Sequence, residues 1–206
     1  MYWKFASLAI FALFCAWVWV ESKLSTRRDE KEEEKFWERE RRANSTRRKP
    51  IDHLNYITIP DNLPYDVCTD NAEIQSVIST LNGLKNNKIL NLTGYSNTDL
   101  KLEYGAPNIT ILSTADQNYT TMVTTMQKWA DVLIAADHTK EAITIMEVMM
   151  TTNVDIGKTD RLLANHYISS GNRPAFENLI TVASSLKSLN RDSIVNSLIE
   201  MNPYDN

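Results

Sequence analysis

The first part of the chain is a long apolar run. Between Trp3 and Val20 the only charged residue is Lys4, near the beginning. A bilayer core of about 30 Å requires roughly 20 residues of helix, so the run is just long enough to span it. Tryptophan side chains favour the two membrane interfaces, and the run carries Trp3 at one end and Trp17 and Trp19 at the other. Bulky residues stand where a signal peptidase requires small ones. We therefore predict an uncleaved transmembrane anchor over residues 1–21.

A dense charged stretch follows and predicts a helical stalk over residues 22–49. It contains no Gly or Pro, and Glu38 stands four residues before Arg42, a spacing that supports an exposed helix. The basic cluster at 47–49 precedes Pro50, and the residue before a proline disfavours helix, so the stalk ends there. Phe36 and Trp37 are its large apolar residues. They either contact the domain, a partner or the headgroup layer, or they lie on a solvated spacer, which is the reading we favour.

Residues 50–115 have a mixed pattern and predict an extended connector with short helices that cap the domain. Asp70 is placed to cap a helix whose apolar positions recur at helical spacing, and this helix should stop at Asn82-Gly83. A second short helix should begin at Ser96 or Asn97 and end at Tyr104, before Gly105. The alternation at 108–112 predicts extended backbone that forms no sheet, because one strand cannot make a sheet.

The rest of the chain, residues 116–206, has the most regular 3.6-residue periodicity and predicts an all-α domain. Five amphipathic helices are expected, over Asp116–Ala136, Thr139–Met150, Lys158–Ser169, Pro174–Leu186 and Asp192–Met201.

A displacement of 34 residues aligns the first two of these helices with the next two. The aligned pairs are Trp129 and Leu163, Ala130 and Ala164, Leu133 and Tyr167, Asp137 and Gly171, Met146 and Ile180, and Met149 and Ala183. This pattern of large, small, aromatic and turn residues resembles the tetratricopeptide repeat over about 65 residues. Two departures are Asp160, in place of an early aromatic, and Phe176, in place of a small residue. The resemblance implies two stacked helical hairpins with a closing helix.

The whole plan also resembles single-span membrane proteins of Gram-positive anaerobes. The resemblance rests on the segments FWERERRANSTRRKP, ITIPDNLPYD and NTDLKLEYGAPN. No activity is assigned to that family, so the resemblance implies an architecture and no function.

Charge is distributed unevenly along the chain and bears on its partners and orientation. Residues 21–49 hold 11 Lys/Arg against 8 Asp/Glu, whereas residues 50–206 hold 10 against 18. A domain with this acidic excess repels phosphate backbones, so we expect no nucleic-acid partner. The basic flank of the anchor predicts that the domain faces the cytoplasm. Four N-glycosylation triplets, at Asn44, Asn91, Asn108 and Asn118, would fit the opposite orientation.

No arrangement of residues in the sequence predicts catalysis, a cofactor or a metal. The three histidines, His53, His138 and His166, lack the paired spacing of metal ligands. The two cysteines, Cys15 and Cys68, offer no disulfide framework. A Gly-rich phosphate loop and a nucleophile motif are both absent from the sequence. We therefore expect a protein that is not an enzyme.

The repeat resemblance implies a candidate peptide-binding groove. Lys158, Arg161 and Asn165 lie on one face of the second repeat's first helix. Two cations with an amide would clamp a peptide carboxylate, as part of the carboxylate clamp does in some tetratricopeptide co-chaperones. Gln127 and Asp131 occupy the equivalent stretch of the first repeat, where Asp131 would repel an acidic ligand. The alternative is that all five are ordinary solvated residues.

These patterns together predict a membrane-anchored helical-repeat adaptor that binds a protein or peptide at the cytoplasmic face. The alternative is a structural or assembly subunit of a membrane complex that acts through its transmembrane and stalk helices. The oligomeric state is left open, because the stalk lacks a sustained heptad pattern.

Overall fold

The structure, a computed structural model, describes residues 2–203, with the side chains of residue 11 and residues 13–203. Within that range it contains eight α-helices and no β-strand, so the expected all-α fold is confirmed. The helices are α1 (Tyr2–Asn44), α2 (Ala72–Leu84), α3 (Asn97–Tyr104), α4 (Ile109–Ala135), α5 (Thr139–Thr151), α6 (Gly157–Ser169), α7 (Arg173–Ser185) and α8 (Arg191–Glu200), with a 3₁₀ turn over Ala106–Asn108.

The chain divides into two compact units. The first consists of residues 1–49 and 97–107, and the second of residues 50–96 and 108–206. The predicted anchor lies in the first unit, and its side chains at residues 1–10 and 12 are outside the described part. Among the residues that are described, no helix combines the length and the apolar character needed to cross a membrane.

In the first unit, α3 packs against the C-terminal end of α1. Ala43 is fully buried there, and the Lys101 ammonium donates to Asn44 Oδ1 at 2.8 Å. Glu40 accepts a hydrogen bond from the Thr98 hydroxyl, and this bond, with Lys101 nearby, lowers the pKa of the Glu40 carboxyl. The helical stalk was predicted over residues 22–49, whereas α1 ends at Asn44, so residues 45–49 are not part of the helix.

Gly105 makes the closest backbone approach in this unit. Its φ is +93°, a conformation that favours glycine. A Cβ atom at this position would lie 2.2 Å from the Arg47 carbonyl oxygen. The Lys49 amide donates to the Tyr104 carbonyl and the Ala106 amide to the Thr46 carbonyl, so the segment after α1 is bonded to the residues that flank Gly105.

The second unit has one hydrophobic core, to which α2 and α4–α8 contribute. The predicted cap of α2 was wrong by one position, because Asn71 and not Asp70 receives the first amide hydrogen bonds, from Glu73 at 2.8 Å and Ile74 at 3.4 Å. The predicted stop at Gly83 was also early. Gly83 is a helical residue and α2 ends at Leu84.

The prediction of extended backbone at 108–112 was wrong, since α4 begins at Ile109 and not at Asp116. An extended segment would place Ile109 and Ile111 on one face, and Ile111 is 38 % exposed. Burial instead follows helical spacing, with Leu112 at 0 % and Ala115 at 1 % exposure. Packing on the core therefore decides the conformation of this segment.

The turns that end α4 and α6 have the same geometry at positions 34 residues apart. Asp137 and Gly171 each have φ +67°. The His138 amide donates to the Leu133 carbonyl at 2.8 Å, and the Asn172 amide donates to the Tyr167 carbonyl at 2.8 Å. The small residues of both halves are buried at 0–1 % exposure, namely Ala130, Ala142, Ala164 and Ala183.

Candidate functional site

Three of the five predicted groove residues meet in one polar network between α4 and α6. The Gln127 amide donates to Asp131 Oδ1 at 2.9 Å, and the same oxygen accepts from the Lys158 ammonium at 2.7 Å. The Gln127 carbonyl oxygen accepts from the hydroxyl of Thr159, which is 2 % exposed. The network therefore links the first helix of one hairpin to the first helix of the next.

The network changes the electrostatic reading of this face. Asp131 pairs with Lys158, so each charge is largely offset by the other before any ligand arrives. Both side chains remain partly exposed, at 38 % and 55 %, and such a pair adds only about 0–1 kcal/mol of stability. A peptide carboxylate would have to compete with Asp131 for the Lys158 ammonium.

The other two predicted residues, Arg161 and Asn165, do not join this network. Both are exposed on α6, one turn apart. The Arg161 guanidinium lies toward the beginning of α6, where its Nη1 is 3.4 Å from a Cβ position on Gly157. All three predicted residues of α6, Lys158, Arg161 and Asn165, are thus on its solvent side. Asp131 binds only the first of them, Lys158.

Asp160 was not predicted as a site residue, and it is a buried titratable group of the second unit. It is 6 % exposed, and its Oδ2 has no hydrogen-bond partner among the described residues. Burial, reinforced by the nearby Asp155 carboxylate and opposed by Arg161, raises the pKa of the Asp160 carboxyl to about 7. The sequence feature that could have pointed to Asp160 is its position in the repeat pattern, where an aromatic residue is expected.

A second network holds the turn between α5 and α6. The Asn91 amide donates to the Tyr119 hydroxyl at 2.9 Å and to the Thr152 carbonyl at 3.1 Å. The Tyr119 hydroxyl also lies 3.2 Å from the Thr152 carbonyl, to which it can donate. Burial, together with the charge of Asp155, raises the pKa of the Tyr119 phenol, so Tyr119 stays protonated at neutral pH.

The side chains of the four glycosylation triplets have structural roles. Asn108 is fully buried, and Asn91 belongs to the network just described. The Asn44 side chain accepts from Lys101, and the Asn118 side chain donates to the Lys88 carbonyl at 2.9 Å. A glycan on Asn108 is incompatible with this fold, because the side chain that would carry it is fully buried.

No cluster of three or more His, Cys, Asp or Glu side chains suited to a metal ion occurs among the residues described. His138 precedes α5 and lies 3.8 Å from Glu141, while His166 is on α6 beside the ring of Tyr167. Each of these two histidines therefore has a neighbouring side chain that it contacts, Glu141 for His138 and Tyr167 for His166.

No protein-family model matches the chain, and neither the curated proteins nor the solved structures gave a match. The function must therefore be inferred from this chain's own residues.

Proposed function

We propose that this chain is a membrane-anchored helical-repeat adaptor that binds a protein or peptide partner at the cytoplasmic face. The observation that carries the proposal is the repetition in the second unit. The α4–α5 and α6–α7 turns have the same φ value and the same amide-to-carbonyl bond at positions 34 residues apart. Tandem hairpins of this period are typical of tetratricopeptide-type binding proteins.

The binding face in this proposal is the solvent side of α4 and α6. The Lys158 ammonium, which donates to Asp131, and the Thr159 hydroxyl, which donates to Gln127, connect the two helices on this face. Arg161 and Asn165 then supply the contacts to the peptide partner. Arginine binds a carboxylate through two parallel hydrogen bonds. An asparagine amide offers both a donor and an acceptor to a peptide backbone. One helical turn separates the two residues, about 6 Å along the axis, which suits neighbouring groups of one extended peptide.

The anchor in this proposal is the N-terminal part of α1. Large apolar side chains are exposed along it, at 43–71 % for Phe11, Leu13, Phe14, Trp17, Val18, Trp19 and Val20. Contiguous exposed apolar surface of this kind marks an interaction with membrane or protein. The orientation in this proposal rests on the Lys/Arg asymmetry, and the burial of Asn108, one of the four triplet asparagines, supports it.

Site-specific photo-crosslinking of the full chain in its native membranes tests the binding face. A photo-crosslinking amino acid is placed at Asn165, and as a matched control at Thr144, which is exposed on α5. We expect a discrete adduct from position 165 that is absent from position 144 and weakened by Arg161→Glu. Equal adducts from both positions, or none from position 165, would contradict the proposal.

Protease digestion tests the orientation independently. In right-side-out cells the second unit should be protected, and in inverted membrane vesicles it should be digested. Digestion in intact cells would contradict the cytoplasmic assignment and leave the helical repeat facing outward.

The alternative function, an assembly subunit that works through its stalk, is favoured by one observation. Phe36 and Trp37 on α1 are 55 % and 51 % exposed. Their rings are arranged edge to face, with 5.3 Å between the ring centroids. Aromatic residues exposed on a charged helix are enriched at protein interfaces. This function predicts that deleting residues 116–206 leaves the chain in its native-gel complex, whereas Phe36→Ala with Trp37→Ala releases it. The adaptor predicts the reverse.

A further inference from the structure

A small cavity in the second unit is lined by opposite charges that do not meet. Its volume is about 150 Å³, and three segments form its walls: residues 91–95, the turn at 153–155 and the connection at 185–188. Asp155 and Lys187 both face it. Neither makes an ion pair with the other or with any further residue in the described part of the chain. None of the five predicted groove residues lines this cavity.

A hydroxyl in the same wall also lacks a partner. Ser188 lines the cavity, and its Oγ is buried without a hydrogen bond among the described residues. Buried polar groups in native proteins are nearly always hydrogen-bonded. Because the Oγ is inaccessible to a water-sized probe, the Ser188 hydroxyl would reach a ligand only after its side chain rotates, so Lys187, which is exposed, is the donor at this side of the cavity.

The walls are held in place before any ligand arrives. On the Asp155 side, Asn91 and Tyr119 bind the carbonyl groups of Thr152 and Asn153. On the Lys187 side, the backbone at Gly94 is so close that an added Cβ would lie 3.0 Å from Lys187 Cβ. The Lys187 ammonium also lies 5.1 Å from the centroid of the Tyr95 ring. Binding would therefore require little ordering of the protein, which favours affinity.

We propose that this cavity binds a small zwitterion of amino-acid size. The ligand's ammonium group would pair with the Asp155 carboxylate, and its carboxylate with the Lys187 ammonium. The volume has room for about five waters, and hence for a solute with about that many non-hydrogen atoms, such as glycine or alanine. Both charged ends are needed, because a ligand with one charge leaves the opposite wall unpaired. This site is separate from the peptide-binding face proposed above and does not depend on it.

Calorimetric titration of the full chain in detergent micelles tests the site, with glycine and L-alanine as probes. Acetate and methylammonium serve as single-charge controls on the unmodified protein. We expect saturable binding of at least one amino acid, and binding of each single-charge probe to be weaker by about tenfold or more. Absence of saturable amino-acid binding would overturn the proposal. Acetate binding as tight as that of the amino acids would also overturn it and indicate a plain anion site.

Two variants then locate the site. Asp155→Asn and Lys187→Gln should each weaken amino-acid binding by about tenfold or more, since each removes one charge-assisted contact. Lys140→Gln, at an exposed position on α5, is the matched control and should bind as the unmodified chain does. Far-UV circular dichroism establishes that each variant is folded. Unchanged binding in both site variants would overturn the assignment to this cavity.

Discussion

Replacing Asp160 with asparagine tests the buried carboxylate of the second unit. Asparagine has nearly the same shape and carries no charge at any pH, so the substitution removes the ionisation and little else. Asp160 is 6 % exposed and its Oδ2 has no partner among the described residues. In the ionised state this side chain therefore holds a poorly compensated charge inside the protein.

The size of the effect follows from the pKa. The pKa of the Asp160 carboxyl is raised from 3.8 to about 7 in the folded chain. One pKa unit corresponds to about 1.4 kcal/mol, so ionisation lowers the free energy of unfolding by up to about 4 kcal/mol. A raised pKa means that the folded state holds the proton more tightly than the unfolded state. The contribution of Asp160 to stability is thus most favourable below pH 3.8, falls as the pH rises toward about 7, and is constant above that.

Because the new amide must also find partners, we expect Asp160→Asn to be more stable than the unmodified chain by about 2–4 kcal/mol above pH 8. At pH 4 the advantage should vanish. Chemical denaturation at a series of pH values, followed by circular dichroism, measures the difference. The matched control is Asp66→Asn, at an exposed position, whose stability should follow that of the unmodified chain.

The neighbouring charges provide a second readout. Carbon NMR of the Asp160 carboxyl reports its pKa directly. Asp155→Asn should lower this pKa, because it removes a like charge, and Arg161→Gln should raise it, because it removes an opposite charge. A carboxyl that titrates near pH 4, or an Asp160→Asn advantage that does not change with pH, would refute the reasoning.

Three further substitutions test the backbone and the buried hydroxyl. Gly105→Ala should expose the amides of Lys49 and Ala106 to hydrogen exchange, because the new methyl group would lie 2.2 Å from the Arg47 carbonyl oxygen. Gly83→Ala should raise the free energy of unfolding by about 0.5–1 kcal/mol in denaturant titration, since Gly83 is inside α2 with nothing within 4 Å of an added Cβ. Tyr119→Phe should lower it by about 1–2 kcal/mol, because a buried hydrogen-bonding group is lost.

A matched control exists for the glycine at the end of α3. Gly171 also has a positive φ, of +67°, but an added Cβ would meet nothing within 4 Å. Gly171→Ala should therefore lose only the about 1–2 kcal/mol that the left-handed conformation costs a residue with a side chain. The comparison is of amide hydrogen exchange around each substituted glycine. If Gly105→Ala accelerates it no more than Gly171→Ala does, the close approach to Arg47 does not constrain the first unit.

Local sequence was sufficient for most of the helices. Four helices predicted between Thr139 and Met201 were observed with no end shifted by more than one residue. Their apolar positions recur at a strict helical period, and turn residues such as Gly171 separate them. The short helix that ends at Tyr104 was also predicted, because Gly105 and Pro107 mark its end.

Tertiary packing decided what local pattern left ambiguous. Residues 108–112 alternate like a strand, yet the core accepts Leu112 and Ala115 from one helical face, and α4 begins at Ile109. A run of five residues fits both periods, and only the surface on which it packs separates them.

The candidate sites depended still more on the fold. From sequence, Asp131 was a carboxylate that would repel an acidic ligand, whereas in the structure it pairs with Lys158 at 2.7 Å. The pairing joins residues on two helices, so no local spacing could predict it. Likewise, the cavity that Asp155 and Lys187 both line is assembled from three segments that are separate in the sequence, at 91–95, 153–155 and 185–188. Sequence alone determined which residues are charged and which helices carry them. The electrostatic environment of each charge was decided by tertiary structure, because burial and distance set the interaction energy.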